Sequence, residues 1–137
     1  MLSPKEIAIE RMLEKDAFSQ WLGIEILEIE KGYCKVSMTV RAEMTNGFKI
    51  AHGGISYSLA DSAFAFASNS HGIQSVSLET SISHLKKILH GDQLTAIAKE
   101  INLTRKTGLY QIEIKNQKDE LVAQFKGIVY RTAREWV

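Results

Sequence analysis

The sequence predicts an α+β fold in which an antiparallel sheet wraps around one buried helix, with a shorter helical segment ahead of it. Three observations predict it. Residues 54–70 are dominated by Ala, Ser, Leu, Ile, Phe and Tyr and carry one charge, Asp61. The helix they form is therefore not amphipathic and needs cover on nearly all sides. Four strand-like segments joined by short polar turns come after it, the pattern of an antiparallel sheet, and a hairpin precedes it.

Composition bounds the problem further. The chain has 137 residues, 45% hydrophobic and 24% charged, which suits one domain spanning 1–137 and excludes intrinsic disorder. Lysine and arginine total 17 against 16 acidic residues, a balance that argues against a nucleic-acid partner. The single cysteine cannot form an internal disulfide and suits a reducing compartment. Lys5, Glu6, Glu10, Arg11 and Glu14 break up any apolar run near the start, and no stretch reaches the ~18 apolar residues of a membrane helix. A soluble, cytoplasmic protein without a membrane partner is expected.

The chain opens with a helical signal. Ser3 and Glu6 form a capping box with Pro4 at the first helical position, opening an N-terminal helix over about 3–22. Its apolar side is Ile7, Met12 and Leu13; a second short piece is expected around 18–22, stopped by Gly23. Residues 24–30 read as a strand whose alternation breaks at Ile26-Leu27, which predicts a bulge or burial on both faces. Lys31-Gly32 turns the chain, and Cys34, Val36, Met38 and Val40 share one face of the return strand. A polar loop, 41–52, leads into the buried helix. Beyond it, Val76, Leu78, Thr80 and Ile82 alternate with serines and Glu79. Turns at Gly91-Asp92, Thr107-Gly108 and 116–120 then separate strands at 94–102, 109–115 and 121–131.

Asp61 is the anomaly. A carboxylate in a buried helix is costly unless it is paired or serves a site, and residue types alone leave both readings open. The loop before the helix adds a second feature. His52-Gly53-Gly54 places two glycines at the helix N-terminus, where free N–H groups and the helix dipole favour an oxyanion. A tight turn is the other reading. An oxyanion site succeeded on one helix by a lone carboxylate is what acyl transfer needs.

Asn46, His52-Gly53-Gly54 and Asp61, within HGGISYSLADSAFAFA, resemble the hotdog-fold acyl-CoA thioesterases, in the branch of the phenylacetate-pathway (PaaI-type) enzymes. The likeness continues through VSLETSISHLKKILHGDQLTAIAKE, TRKTGLYQIEI and ELVAQFKGIVYR, and covers roughly 23–131. It implies a hotdog fold and hydrolysis of acyl-CoA to a free acid and CoA, with no metal or redox cofactor. It also implies roles. Gly53, with Gly54 beside it, would donate its N–H to the thioester carbonyl. Asp61 would be the general base to water, or the nucleophile of a mixed anhydride. Asn46 would hold the water or orient the acyl group, and His52 would brace the loop. Ser77 matches a position where relatives place Ser or Thr near the carboxylate. Where the family often has Pro after the serine-rich strand, this chain has Leu85-Lys86-Lys87, a departure at the CoA contacts.

Tyr57 and Phe64 lie four residues before and three after Asp61, so an aromatic or medium-length acyl group is expected against them. Lys86-Lys87 and Arg105-Lys106 are either contacts to CoA phosphates or solvated turn charges. Cys34 reads as a core thiol, and His71, His84 and His90 as turn or surface residues without metal-ligand spacing. A non-catalytic acyl-CoA-binding module is the alternative; a short N-terminal helix and near-neutral charge speak against its DNA-binding versions. A hotdog dehydratase would need an HFP-type loop, which is absent here.

Gly53 and Asp61 stand about 12 Å apart along a straight helix, at about 1.5 Å per residue. One helix cannot easily offer both to one carbonyl. Two such helices, antiparallel across a twofold axis, can. A homodimer is expected in which Gly53 and Asn46 of one chain face Asp61 of its partner. Relatives commonly pair such dimers, which makes a homotetramer the expected assembly.

Overall fold

The computed structural model describes residues 1–137. The expected capping box is present, with Ser3 N donating to Glu6 Oε1 and Glu6 N to Ser3 Oγ, each at 3.1 Å. The N-terminal segment is not one helix, however. A wide π-type stretch, Glu6–Met12, tightens into a 3-10 turn at Leu13–Lys15. Asp16 then caps a separate short helix, α1 (Ala17–Leu22), which Gly23 ends in the left-handed region at φ 77.

β1 (Glu25–Glu30) and β2 (Tyr33–Thr39) pair as the expected hairpin. Their register slips between Ile26 and Glu28, where the sequence alternation breaks. Cys34, Val36, Met38 and Val40 are buried, as their shared face predicts. The central helix α2 runs Gly53–Asn69 and leads on to β3 (Ile73–His84), β4 (Gln93–Leu103), β5 (Thr107–Lys115) and β6 (Leu121–Glu135). All six strands form one antiparallel sheet in the order β1-β2-β4-β5-β6-β3. Helix α2 packs against every one of them, which is the hotdog arrangement.

The antiparallel pairing is as expected, and the strand order is what the sequence left open: β3 pairs with β6 at the far edge and not with β4. Alternation reports that a segment is a strand, not which neighbour it takes. The crossing chain is anchored on the loop before α2, with Ala51 N donating to Ile88 O at 2.7 Å. One expectation is corrected here, that of the cover of α2. Ala60, Ala63 and Ala67 are sealed against the sheet, but Ser58, Asp61, Ser62 and Ala65 form a half-buried stripe beside α1. The helix is sealed on its sheet side, is partly covered by the N-terminal segment, and stays half-buried along this stripe. β3 is an open edge, with Val76 54% and Leu78 60% exposed. No helix is long and apolar enough to cross a membrane.

The close approach of α2 to the sheet depends on Gly127. Phe64 packs among Tyr110 and Phe125, and a Cβ at Gly127 would lie 2.6 Å from its Cζ. Gly127→Ala is expected to destabilise the fold by about 1–3 kcal/mol through overpacking. Urea unfolding should show a lower midpoint with an unchanged slope. An unaltered midpoint would show that Phe64 can move aside freely.

Candidate active site

The first half of the site is the start of α2. His52 caps the helix, its Nδ1 accepting the Gly54 N–H at 3.0 Å. Ile55 N donates to His52 O at 2.9 Å. The Gly53 N–H is left without an acceptor in the chain, at the positive end of the helix dipole. Asn46 folds the preceding loop. Its Oδ1 accepts from Phe48 N at 2.9 Å and its backbone N–H donates to Ile50 O at 2.8 Å, leaving its side-chain amide N–H groups free to donate. Asn46 and Gly53 line one cleft of about 200 Å³ together with Ser56, His84, Lys86 and Lys87.

The second half stands elsewhere. Asp61 lines a different cleft, of about 210 Å³, with Asp16, Phe18, Ser19, Ser58 and Ser62. Its carboxylate takes part in no ion pair and no hydrogen bond within the chain. Burial, and secondarily the neighbouring Asp16 carboxylate, push its pKa above the ordinary Asp value. A structural Asp would be held by a backbone or hydroxyl donor. Asp61 is not.

Other predicted residues are placed variously. Ser77 is exposed on the β3 edge, outside both clefts. Gly54 is exposed beside the cap. Tyr57 is half-buried against Phe125, its hydroxyl 2.5 Å from Thr80 Oγ1, and Phe64 is a core residue at 1% exposure. Helical spacing put both near Asp61, but the sheet wraps that flank and claims their rings. Lys86 and Lys87 do share the Asn46–Gly53 cleft, with Lys86 also paired to Glu120. Arg105 and Lys106 lie apart from it, in a cleft with Tyr130 and Arg131.

Three residues of the site were not legible as such in the sequence. His84 is not a bystander: it stands 3.3 Å from Ser56 Oγ, and a Cβ at Gly53 would meet its Nε2 at 3.2 Å. Asp16 and Phe18 wall the Asp61 cleft. Nothing local could have found His84, since the end of β3 reaches the helix start only through the sheet. No local sign in the sequence ties Asp16 to Asp61. Cys34 is inert, its thiol pushed up to about 12 by burial, and His71 is paired with Glu100 at 2.6 Å.

The stretch 48–123, which holds the capped helix start, Asp61 and β3 to β5, matches the thioesterase superfamily. The chain belongs to the thioesterase superfamily. It is 44% identical to the acyl-coenzyme A thioesterase PaaI of Escherichia coli, over 88% of this chain and 86% of that one. The structure of the E. coli PaaI protein from the phenylacetic acid degradation operon is similar at a TM-score of 0.93 and 40% identity, covering 96% of each chain. A hypothetical thioesterase protein of Streptococcus pneumoniae, solved with coenzyme A, is similar at a TM-score of 0.79 and 26% identity, over 82% of this chain and 91% of that one.

The unpaired carboxylate of this thioesterase has a stability consequence. Burial raises the Asp61 pKa above its unfolded value, so the folded chain holds that proton more tightly and loses stability as pH rises through the interval between them. Asp61→Asn keeps the shape without the charge. At neutral pH it is expected to raise Tm by roughly 1–3 °C, a gain that calorimetry should find fading below about pH 4. A lower Tm at neutral pH would mean that the carboxylate holds the fold together.

Proposed function

We propose that this thioesterase hydrolyses acyl-CoA to a free carboxylic acid and CoA, with Asp61 acting on a thioester whose carbonyl oxygen is bound by the Gly53 N–H. The observation that carries the reading is Asp61 itself, half-buried, unpaired and without a donor. The E. coli relative's activity supports it at 44% identity. In the reaction the oxygen of the attacked carbonyl becomes an oxyanion, and an unengaged N–H at a helix start is ready to receive it. Ionised Asp61 takes a proton from the attacking water or adds to the carbonyl itself. The thiolate of CoA then leaves and takes up a proton; where Asp61 itself has added, a water hydrolyses the resulting mixed anhydride, which frees the acid and restores the carboxylate. Water and these groups suffice, so the proposal includes no cofactor. Asn46 has amide donors free to hold water or the acyl group, and Lys86 and Lys87, in the same cleft as Gly53, suit the CoA phosphates. Cytoplasmic CoA is the substrate pool that a chain with one buried thiol suits.

The proposal includes a site shared between two copies. Gly53 with Asn46 and Asp61 open into separate clefts of one chain. A second copy across a twofold axis supplies each cleft with its missing half. The open edge of β3, bearing exposed Val76 and Leu78, is where another sheet can continue this one, and Ser77 then lies at the join. Pairing of two such dimers gives the tetramer.

Release of thiol from a panel of acyl-CoAs tests the activity; no release from any of them would leave the binding-module reading. Asp61→Ala is expected to lower kcat about 10²–10⁴-fold, the usual cost of removing an essential base. Near-normal turnover by the folded variant would remove Asp61 from the mechanism. For the shared site, inactive Asp61→Ala and inactive Asn46→Ala proteins are mixed under subunit exchange. Hybrid dimers should regain one intact site and measurable activity. Confirmed exchange without any return of activity would show that each chain completes its own site.

A further inference from the structure

We propose that Asp16 is a positioning residue of the active site, whose fixed negative charge, held at the Asp61 cleft through Ser19 and Ser62, makes Asp61 a stronger proton acceptor. The inference rests on the catalytic reading of Asp61.

The geometry fixes the charge in place. Asp16 caps α1 with both oxygens engaged, Oδ1 accepting the Ser19 N–H at 3.0 Å and Oδ2 accepting the Ser19 hydroxyl at 2.6 Å. Having given its only hydroxyl proton to Asp16, Ser19 Oγ accepts from Ser62 Oγ at 2.8 Å. A chain of donors thus runs from Ser62, the residue after Asp61 on α2, through buried Ser19 to the cap carboxylate. Asp16, Ser19, Ser62 and Asp61 line one cleft, and its other walls, Phe18, Ser58 and Ala65, are uncharged. No lysine or arginine pairs with either carboxylate. Two negative charges therefore face one cleft with no cation in it. A like charge nearby disfavours ionisation, and the proton affinity of Asp61 is raised by burial first and by Asp16 second. A carboxylate whose pKa moves toward the working pH is the better general base.

The cap alone does not call for this charge. Asn and Ser cap a short helix about as well as Asp, so the negative charge is more than the cap needs. In the proposed dimer the partner copy would bring its own helix start and lysines to the same site, and substitution at Asp16 leaves all of them unchanged.

Asp16→Asn is the first variant: it keeps the shape and the Oδ1 cap on the Ser19 N–H and removes the charge, while its Nδ2 donates where Oδ2 accepted and turns the Ser19–Ser62 hydroxyls around. The measurement is the pH profile of kcat/KM for the acyl-CoA of the panel that the wild type hydrolyses fastest, with folding checked by thermal melts. The acid limb is expected to move to lower pH by about 0.3–1, and the rate on the plateau to fall about 2–10-fold as the base weakens. Asp16→Ser, a second neutral cap, should move the limb the same way. High salt should move the wild-type limb in that direction and the Asp16→Asn limb less. A limb that stays in place in both folded variants would overturn the proposal while leaving Asp61 as the catalytic group. An Asp61→Asn protein that still turns over would overturn the catalytic reading, and this inference with it.

Discussion

Phe64 lies against Gly127 with no room for a methyl group between them, and that contact sets how closely the central helix approaches the sheet. Ala60, Ala63 and Ala67 complete the same surface, so six strands can curl around one helix without voids. Bulkier residues on α2 or a side chain at 127 would push the sheet outward. The rest of the molecule inherits its placement from this fit. The start of α2 comes to rest against the chain that crosses from β3 to β4, which is why Asn46, Gly53, His84, Lys86 and Lys87 share a cleft.

A helix wrapped on one side leaves the other side to be used. The stripe of Ser58, Asp61, Ser62 and Ala65 is roofed in part by α1, whose cap is tied to α2 through the Ser19–Ser62 hydrogen bond. Half-burial is the setting that perturbs a carboxylate without neutralising it: enough desolvation to favour the proton, enough access to reach a substrate. The same setting costs stability, since no cation or donor in the chain compensates the ionised group. Strain of this kind is tolerated where function needs it. The start of α2 is organised by the opposite means, with His52 and Asn46 satisfying the loop so that one N–H remains unspent.

The division of the site into two clefts arises from helix geometry. Gly53 and Asp61 belong to one rigid element, and a rigid element cannot bend its middle toward its own start. An open strand edge on β3 and a half-exposed stripe on α2 are surfaces that one chain leaves unfinished. In the proposed dimer, catalysis and assembly become one problem, met by the same twofold contact.

Much of this was legible in the sequence. The single charge among small residues marked both the central helix and its carboxylate, because the energetic cost of a buried charge is a local fact. The Ser3–Glu6 box, the bulge at Ile26-Leu27 and the buried face of β2 were likewise local, set by spacing and hydrogen-bonding needs within a few residues. The His52 cap and the glycines after it belonged to the same class. Tertiary structure alone decided that β3 pairs with β6, that the sheet and not the substrate takes Phe64, and that His84 and Asp16 stand beside the two halves of the site. Spacing along a chain limits which way a side chain faces. Only the packing of distant segments determines what it meets there, and those contacts are chosen by the shape of the whole core.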